Sequence, residues 1–493
     1  MLRTVRSIKN TFAPINQVPP EIFSLIPDHC EAGEDLIRLT HVCHGWREIL
    51  ISRASLWTYL DCKNPNKTGT YIQRSRGSPL EVSLVARGPT PLPKDALLLV
   101  LQHISRFKAL TLYGTSLTIP NLVKHFNSPA PLLEKLDIRV LSLESAAVKG
   151  TIFGGNLSSL RELRLWGVLT NLPWKNMSNL TILDFHGGSG DNISATQLLD
   201  FFEHAPLLRD IRLVDTLPDS SNVPAERAVS LLHLVLLKIS AEPVHSILLN
   251  HLHIPTGALV TMEFEFDGER SPILDYLPGS LDNLKNISHV TSINLAFDSG
   301  VAMRVNGPSG GLYMISAWGG SGNPPPMLDH HILRSLNKLP TSTTERLVVT
   351  QYYASAHPKT EDSGAYQVLL PMNDLRALTL TDCNNTSFLH ALNPSRNTSN
   401  TVACPKLEEL TLNIPGQRDE SRMYGLLEMT MERASRGAKL SSILICQRES
   451  LSAKELSDLR SYACHVEYRF DYTPPRWDIL PGEPDEAGYE SDW

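Results

Sequence analysis

The chain has 493 residues, a formal net charge of −7, 42% hydrophobic and 20% charged residues. This is the composition of a globular chain with room for about three ordinary domains. The negative balance argues against nucleic acid as the main partner, since phosphate neutralisation needs concentrated Lys and Arg. Membrane spanning is not expected either, because no apolar run approaches the length of a span, and Leu231–Leu237 is interrupted by His233 and followed by Lys238.

The first ten residues, MLRTVRSIKN, are basic, but no apolar core or cleavage-like site follows. Residues 1–14 are therefore expected to be a loose terminus. From Val18 to Leu60 come three short amphipathic segments. Pro19-Pro20 opens the first, where a proline's missing N–H costs nothing and its fixed φ suits a helix start. Ile22, Phe23 and Ile26 then share a side, and Pro27 should end this helix near Ile26. The second segment places Glu34 and Asp35 in a first turn, at the positive end of the helix dipole. Leu36, Leu39, Cys43, Trp46 and Leu50 follow at helical spacing and predict one continuous apolar seam. Ser52 is a candidate cap for a third segment that bears Leu56 and Trp57. So small a module buries too little surface to be secure alone, so its apolar faces must meet the rest of the chain or another protein.

These residues resemble an F-box. That pattern opens on a Leu-Pro-x-Glu-Ile helix, continues to Leu-x-x-Val-Cys-x-x-Trp-Arg and closes on Leu-Trp. Here it reads Val18-Pro19-Pro20-Glu21-Ile22, then Leu39-Thr40-His41-Val42-Cys43-His44-Gly45-Trp46-Arg47, then Leu56-Trp57. Tyr71-Ile72-Gln73-Arg74-Ser75 and Ser78-Pro79-Leu80 are similar to the segment just after the box in the large basidiomycete-type fungal F-box family.

Downstream, Thr68 to Arg76 predicts a helix ending at Gly77, and Leu80–Leu84 alternates as a strand. A pattern L-x-x-L-x-L then recurs, beginning at Leu133, Leu160, Leu180 and Leu208, at intervals of 27, 20 and 28 residues. Weaker copies lie at Leu234–Ile239, Leu259–Phe264 and Val290–Leu295. Strong ones return at Leu375, Leu407 and Leu440, 32 and 33 residues apart. Such a period is the mark of stacked leucine-rich units, none of which can bury its leucines alone. Ser194-Ala-Thr-Gln197 predicts a capping box on a return helix that ends before Pro206, and only Cys383 falls at the Asn/Cys position of the strict repeat. The alternation at Val301, Met303 and Val305, then at Leu312 and Met314, predicts a hairpin around Asn306–Gly311, followed by a GGSGNPPP linker. The last stretch, PGEPDEAGYESDW, has little to pack.

Few residues suggest catalysis. Gly307-Pro308-Ser309-Gly310-Gly311 matches G-x-S-x-G, but a nucleophile elbow needs a helix after it and a strand-like run follows here. Gly187–Gly190 lacks the lysine of a phosphate loop. His330-His331 and His251-x-His253 have no cysteine or carboxylate partners at ligand spacing. The seven cysteines (30, 43, 62, 383, 404, 446 and 464) are odd in number and form no C-x-x-C. They suit reduced thiols in the cytoplasm or nucleus, and N-x-S/T triplets such as Asn176-Met177-Ser178 are then chance matches.

The expected fold is α/β: a three-helix F-box over 15–62, then an irregular leucine-rich-repeat solenoid over 63–471 with a parallel sheet on its inner face. Within it, 298–326 is the hairpin and Gly/Pro-rich insertion, and 472–493 is an acidic flexible tail. The resemblance implies a non-catalytic substrate-recognition subunit of an SCF-type (Skp–cullin–F-box) ubiquitin ligase, acting in ubiquitin-dependent degradation. Its box would dock on a Skp-family adaptor, and through it a cullin, by Val18, Pro19, Pro20, Ile22, Ile26, Leu39, Val42, Cys43, Trp46 and Trp57. An unnamed target protein would be held by outward strand residues: Arg164, Trp166, Asp184, His186, Arg212, Lys238 and Thr379. No cofactor, metal or catalytic residue is expected. The alternatives are a leucine-rich scaffold without a ligase role and, more remotely, a serine hydrolase using Ser309.

Overall fold

A computed structural model describes residues 12–19, 22, 26, 34–86, 92–141, 145–148, 152–155, 157–170, 176–187, 194–215, 223–240, 246–266, 273–297, 300–318, 333, 335–351, 365–381, 385–396, 401–414, 420–447 and 451–469. The chain divides into two compact units, Met1–Ser288 with Ser309–Gly320, and His289–Pro308 with Ser321–Trp493. Each is α/β and built on a mostly parallel sheet. The linker after Trp318, Cys383 and the acidic tail lie outside the described residues. No helix among the described residues is long and apolar enough to cross a membrane.

In the first unit the expected single helix of the second segment is two, Glu34–Thr40 and His44–Ser52. The run Thr40-His41-Val42-Cys43 contains only weak helix formers. The Thr40 hydroxyl donates back to Ile37 O at 2.6 Å, and the N–H groups of His41 and Val42 close tight turns onto Arg38 O and Leu39 O. Cys43 is then extended (φ −156°, ψ 173°) and starts the next helix. The apolar seam is thus bent between Leu39 and Cys43. Ser52 ends its helix, its hydroxyl donating to Ile49 O, and does not cap Ala54–Trp57.

The next helix begins earlier than Thr68. Asn64 caps Pro65–Ser75 by accepting from the N–H groups of Asn66 and Lys67, and Pro65 fills the first turn, where no N–H is needed. Trp57 is fully buried against this helix. Its Nε1 donates to Leu50 O at 2.9 Å, the Tyr71 ring meets it edge-on at 4.9 Å, and the Arg74 guanidinium lies 4.3 Å from its centroid.

From Tyr59 onward ten strands pair in parallel: Tyr59–Leu60, Leu80–Val85, Phe107–Gly114, Lys135–Val140, Glu162–Trp166, Ile182–His186, Asp210–Val214, Leu236–Ser240, Leu259–Phe266 and Gly311–Trp318. Every L-x-x-L-x-L copy that falls here supplies one of them. Leu136, Leu163, Leu183, Ile211 and Leu237 occupy one register row and are all buried, as are the residues two positions on. Phe107, Phe126 and Phe153 continue this interior behind the sheet, their rings 6.3 and 5.7 Å apart. The capping box forms as the sequence predicts: Ser194 and Gln197 bond reciprocally at 3.1 Å and start Ala195–His204.

Four successive strands of this run, those starting at Glu162, Ile182, Asp210 and Leu236, are anchored to the preceding one in the same way. Arg161 and Glu162 both donate their N–H to Glu134 O, Thr181 and Ile182 to Arg161 O, Arg209 and Asp210 to Thr181 O, Val235 and Leu236 to Arg209 O. A carbonyl has two lone pairs and can take both donors. Leu133, Leu160, Leu180, Leu208 and Leu234, which open their copies, each close a tight turn just before the strand, as Leu160 does on Leu157 O and Leu208 on Ala205 O.

The second unit repeats the device: Arg376 and Ala377 share Glu345 O, Glu408 and Glu409 share Arg376 O, Ser441 and Ser442 share Glu408 O. Its parallel strands are Ser292–Phe297, Arg346–Gln351, Ala377–Thr381, Glu409–Ile414, Ser442–Gln447 and His465–Arg469. The hairpin lies one strand earlier than the sequence suggests. Gly300–Asn306 pairs antiparallel with Ser292–Phe297, whereas Gly311–Trp318 pairs parallel with Leu259–Phe266 in the first unit. Both alternating runs are strands, but alternation does not name a strand's partner.

Arg433, on the helix Glu420–Ser435, is wholly buried and donates to Ala403 O at 2.6 Å and to Cys404 O at 2.9 Å. Those carbonyls belong to a turn in which Cys404 adopts φ 47°, a region that favours glycine. Cys404 O also accepts from the Leu407 N–H at 3.1 Å, so of the two only Ala403 O is orphaned when the guanidinium is lost, at a cost of about 1–3 kcal/mol. Arg433→Ala should therefore lower the unfolding free energy by about 1–3 kcal/mol in denaturant titration, and Arg433→Lys should recover less than half of that.

Burial above all pushes the Cys62 thiol up to about 12, with Asp61 adding to it, and burial does the same to Cys404 against the opposing charge of Arg433. Thiolates are the reactive form. Alkylation of the native chain near pH ~8 should label exposed Cys464 and leave the peptides bearing Cys62 and Cys404 unlabelled until denaturant is added.

Candidate interaction surfaces

Two surfaces collect the residues singled out from the sequence. In the N-terminal module Ile22 and Val42 are each 56% exposed, and Pro19 is exposed. Val18, Ile26, Leu39, Cys43 and Trp46 are half-buried, and Pro20 and Pro27 lie outside the described residues. The two packed helices place Leu39, Val42, Cys43 and Trp46 around one bend. Trp57 does not belong to this surface. With no accessible area and its N–H satisfied inside, it is interior to the module. Phe12 and Ile15, exposed at 72% and 42%, are further apolar residues of this region that sequence reading passed over.

The second surface is the face of the first unit's sheet opposite its leucines. Side chains alternate along a strand, so the residues between the buried leucines share this face. Parallel register then lines them up. Asp137, Arg164, Asp184, Arg212 and Lys238 stand side by side on consecutive strands, and Arg139, Trp166 and His186 form the next row. All six target candidates of this unit are thereby brought together. Thr379 belongs to the other unit, where it is half-buried between Val348 and Thr411.

The charges on this face are spent on one another. Arg139 grips Asp137 with two bonds of 2.9 and 3.0 Å. Arg164 lies 2.6 Å from Glu162, which also meets Lys135 at 3.2 Å. Arg212 lies 3.3 Å from Asp210, Lys238 2.9 Å from Glu263, and His186 Nε2 2.8 Å from Asp184. Four of these pairs join residues two apart on one strand: Asp137-Ile-Arg139, Glu162-Leu-Arg164, Asp184-Phe-His186 and Asp210-Ile-Arg212. Glu467-Tyr-Arg469 repeats the motif in the second unit at 2.6 Å. The acidic-apolar-basic triplet is a signal visible in the sequence, because positions two apart on a strand face the same way. Lys238–Glu263 and Lys135–Glu162 join neighbouring strands and need the register to be recognised.

Trp166 sits in the middle of this face. Its ring is 4.2 Å from the Arg139 guanidinium and 4.2 Å from the His186 ring, which is inclined by 32°. Arg139 and His186 stand on the two flanking strands, so the half-buried indole is held between a cation and an imidazole. Beneath, burial pushes the Asp184 carboxyl up. The His186 hydrogen bond and the charges of His186, Arg164 and Arg212 outweigh that and hold it below the usual carboxylate range.

The other motifs are structural. A Cβ on Gly310 would run into the backbone oxygens of Thr256 and Ala258. The glycine is thus required by close packing, and exposed Ser309 stands between two strands, not before a helix. His251 is buried with Nδ1 2.6 Å from Arg227 O, His253 is exposed, and His330-His331 lies outside the described residues. No group of three or more metal-ligating side chains occurs among the described residues.

A carboxyl whose folded value is depressed stabilises the chain fully above its unfolded value, about 3.9, and loses that contribution as pH falls through the folded value. The stability difference between the native chain and Asp184→Asn should therefore shrink below about pH 4, as followed by denaturant unfolding across pH.

No family model matches this chain, and no curated protein is similar enough to it to count as a relative.

Proposed function

We propose that the chain is a non-catalytic specificity subunit of an SCF-type ubiquitin ligase, its N-terminal helices acting as an F-box and its strand ladder as a leucine-rich-repeat-like solenoid. The observation that carries this reading is the pair of separate surfaces, one apolar and one polar, on opposite kinds of element. Ile22 and Val42 keep apolar area in water within a motif that resembles an adaptor-binding box. Leaving such side chains exposed is unfavourable by about 25 cal/mol per Å², which a partner helix would recover. The ladder face, backed by buried leucines, is stiff enough to hold a target in one orientation.

Function would then be tethering. A Skp-family adaptor links the box to the cullin, and the held target experiences a high effective concentration of the charged conjugating enzyme. No cofactor is needed, because the chemistry happens elsewhere in the assembly.

A second reading, a scaffold without a ligase role, is favoured by one observation: Trp57, part of the motif, is spent entirely on the chain's own interior. Co-purification of the full chain with a Skp-family adaptor separates the two. Under the ligase reading the native chain binds, and Ile22→Asp with Val42→Asp weakens binding by at least about tenfold, while the melting temperature stays close to native because both sites are exposed. Binding unchanged in the double variant, or absent in the native chain, counts for the scaffold.

A further inference from the structure

The ladder face carries five cations, Lys135, Arg139, Arg164, Arg212 and Lys238, and each has a carboxylate within 3.3 Å. Five carboxylates stand among them: Asp137, Glu162, Asp184, Asp210 and Glu263. These ten charges sum to zero, and Glu81 on the same face adds one more negative charge. No arginine or lysine of the set is held ready for an incoming anion. A phosphoryl group brings about −1.5 to −2 charges and would have to displace carboxylates that are already in contact. Being half-buried, those pairs are poorly replaced by water when broken.

The aromatic feature of the face is the stack Arg139–Trp166–His186, its arginine already paired with Asp137. Arg and Trp are the residue types that anchor protein interfaces. Both broad sides of the indole are taken by residues of the adjacent strands, so a sugar ring or nucleobase has no open face on which to stack. The half-buried indole keeps part of its ring accessible, an apolar area that suits packing by aliphatic or aromatic side chains.

We propose that the ladder face selects an uncharged, unphosphorylated protein segment bearing an aromatic or aliphatic side chain that packs at Trp166. This rests on the reading that the face holds the target, and it gives that target a chemistry: recognition that needs no prior phosphorylation and depends little on salt.

The test uses the full chain and a synthetic random peptide library in two arms, one with phosphoserine fixed at its centre and one with serine there. The serine arm should be retained and enriched in apolar residues, with the phosphoserine arm at least about tenfold weaker. Affinity of the selected peptides should change less than about twofold between about 0.01 M and 1 M salt, over which the Debye length falls from about 30 to about 3 Å. Trp166→Ala should weaken binding at least about tenfold. Preference for the phosphoserine arm, a steep loss with salt, or no retained peptide would overturn the proposal, as would native-like affinity in a folded Trp166→Ala chain. Should that variant fail to fold, the salt and phosphoserine arms decide on the native chain. Adaptor binding does not enter these readouts. Peptide selection in a chain that ignores the adaptor would remove the ligase reading alone, and adaptor binding with no peptide retained would remove this one.

Discussion

A parallel strand cannot satisfy its backbone inside itself, and at four successive steps in each unit one carbonyl at the start of a strand receives two N–H groups from the next. Glu134, Arg161, Thr181 and Arg209 do this in the first unit, and Thr291, Glu345, Arg376 and Glu408 in the second. The contact sets the phase of each of these strands relative to the last. With the phase set, the period-two alternation puts leucines behind the sheet at each step, and a slip of one residue would reverse every side chain.

The same phase builds the polar face. Arg164 falls between Asp137 and Asp184 because their strands are in register, and Trp166 falls between Arg139 and His186 for the same reason. Pairing within strands, as in Asp210-Ile-Arg212, means each unit brings its own counter-charge. Successive strands can then be stacked without accumulating one sign of charge. The resulting face is polar and close to neutral, which limits what it can attract and leaves shape and apolar contact at Trp166 as its means of discrimination.

Where local geometry departs from the regular unit, single residues compensate. Arg433 reaches from a helix to the carbonyls of a turn in which Cys404 takes a left-handed conformation. Gly310 lets the chain pass against the backbone of Thr256 and Ala258 where a side chain has no room. Asn286 donates to Gly311 O at 2.7 Å in the same neighbourhood. These contacts explain an arginine and a glycine that sequence motifs alone would have assigned to solvent or to catalysis.

The local terms were readable from the chain itself. L-x-x-L-x-L marked strands because alternate leucines must share a face, and Ser194 and Gln197 announced a helix start because both partners of the cap are three residues apart. Arg346–Gln351 was missed because it has a single leucine, Leu347, and its other buried apolar position is the β-branched Val349, so the leucine repeat is not visible there. Non-local terms were decided only by the tertiary structure. The bend at His41–Cys43 depends on small backbone preferences that a strong apolar spacing masked. The burial of Trp57 depends on a helix that starts at Pro65, and the partner of Gly311–Trp318 is a strand some fifty residues upstream. Sequence spacing determines which way a side chain faces on its own element. Which element lies opposite depends on register and packing between segments far apart in the chain, and only the folded structure contains that information.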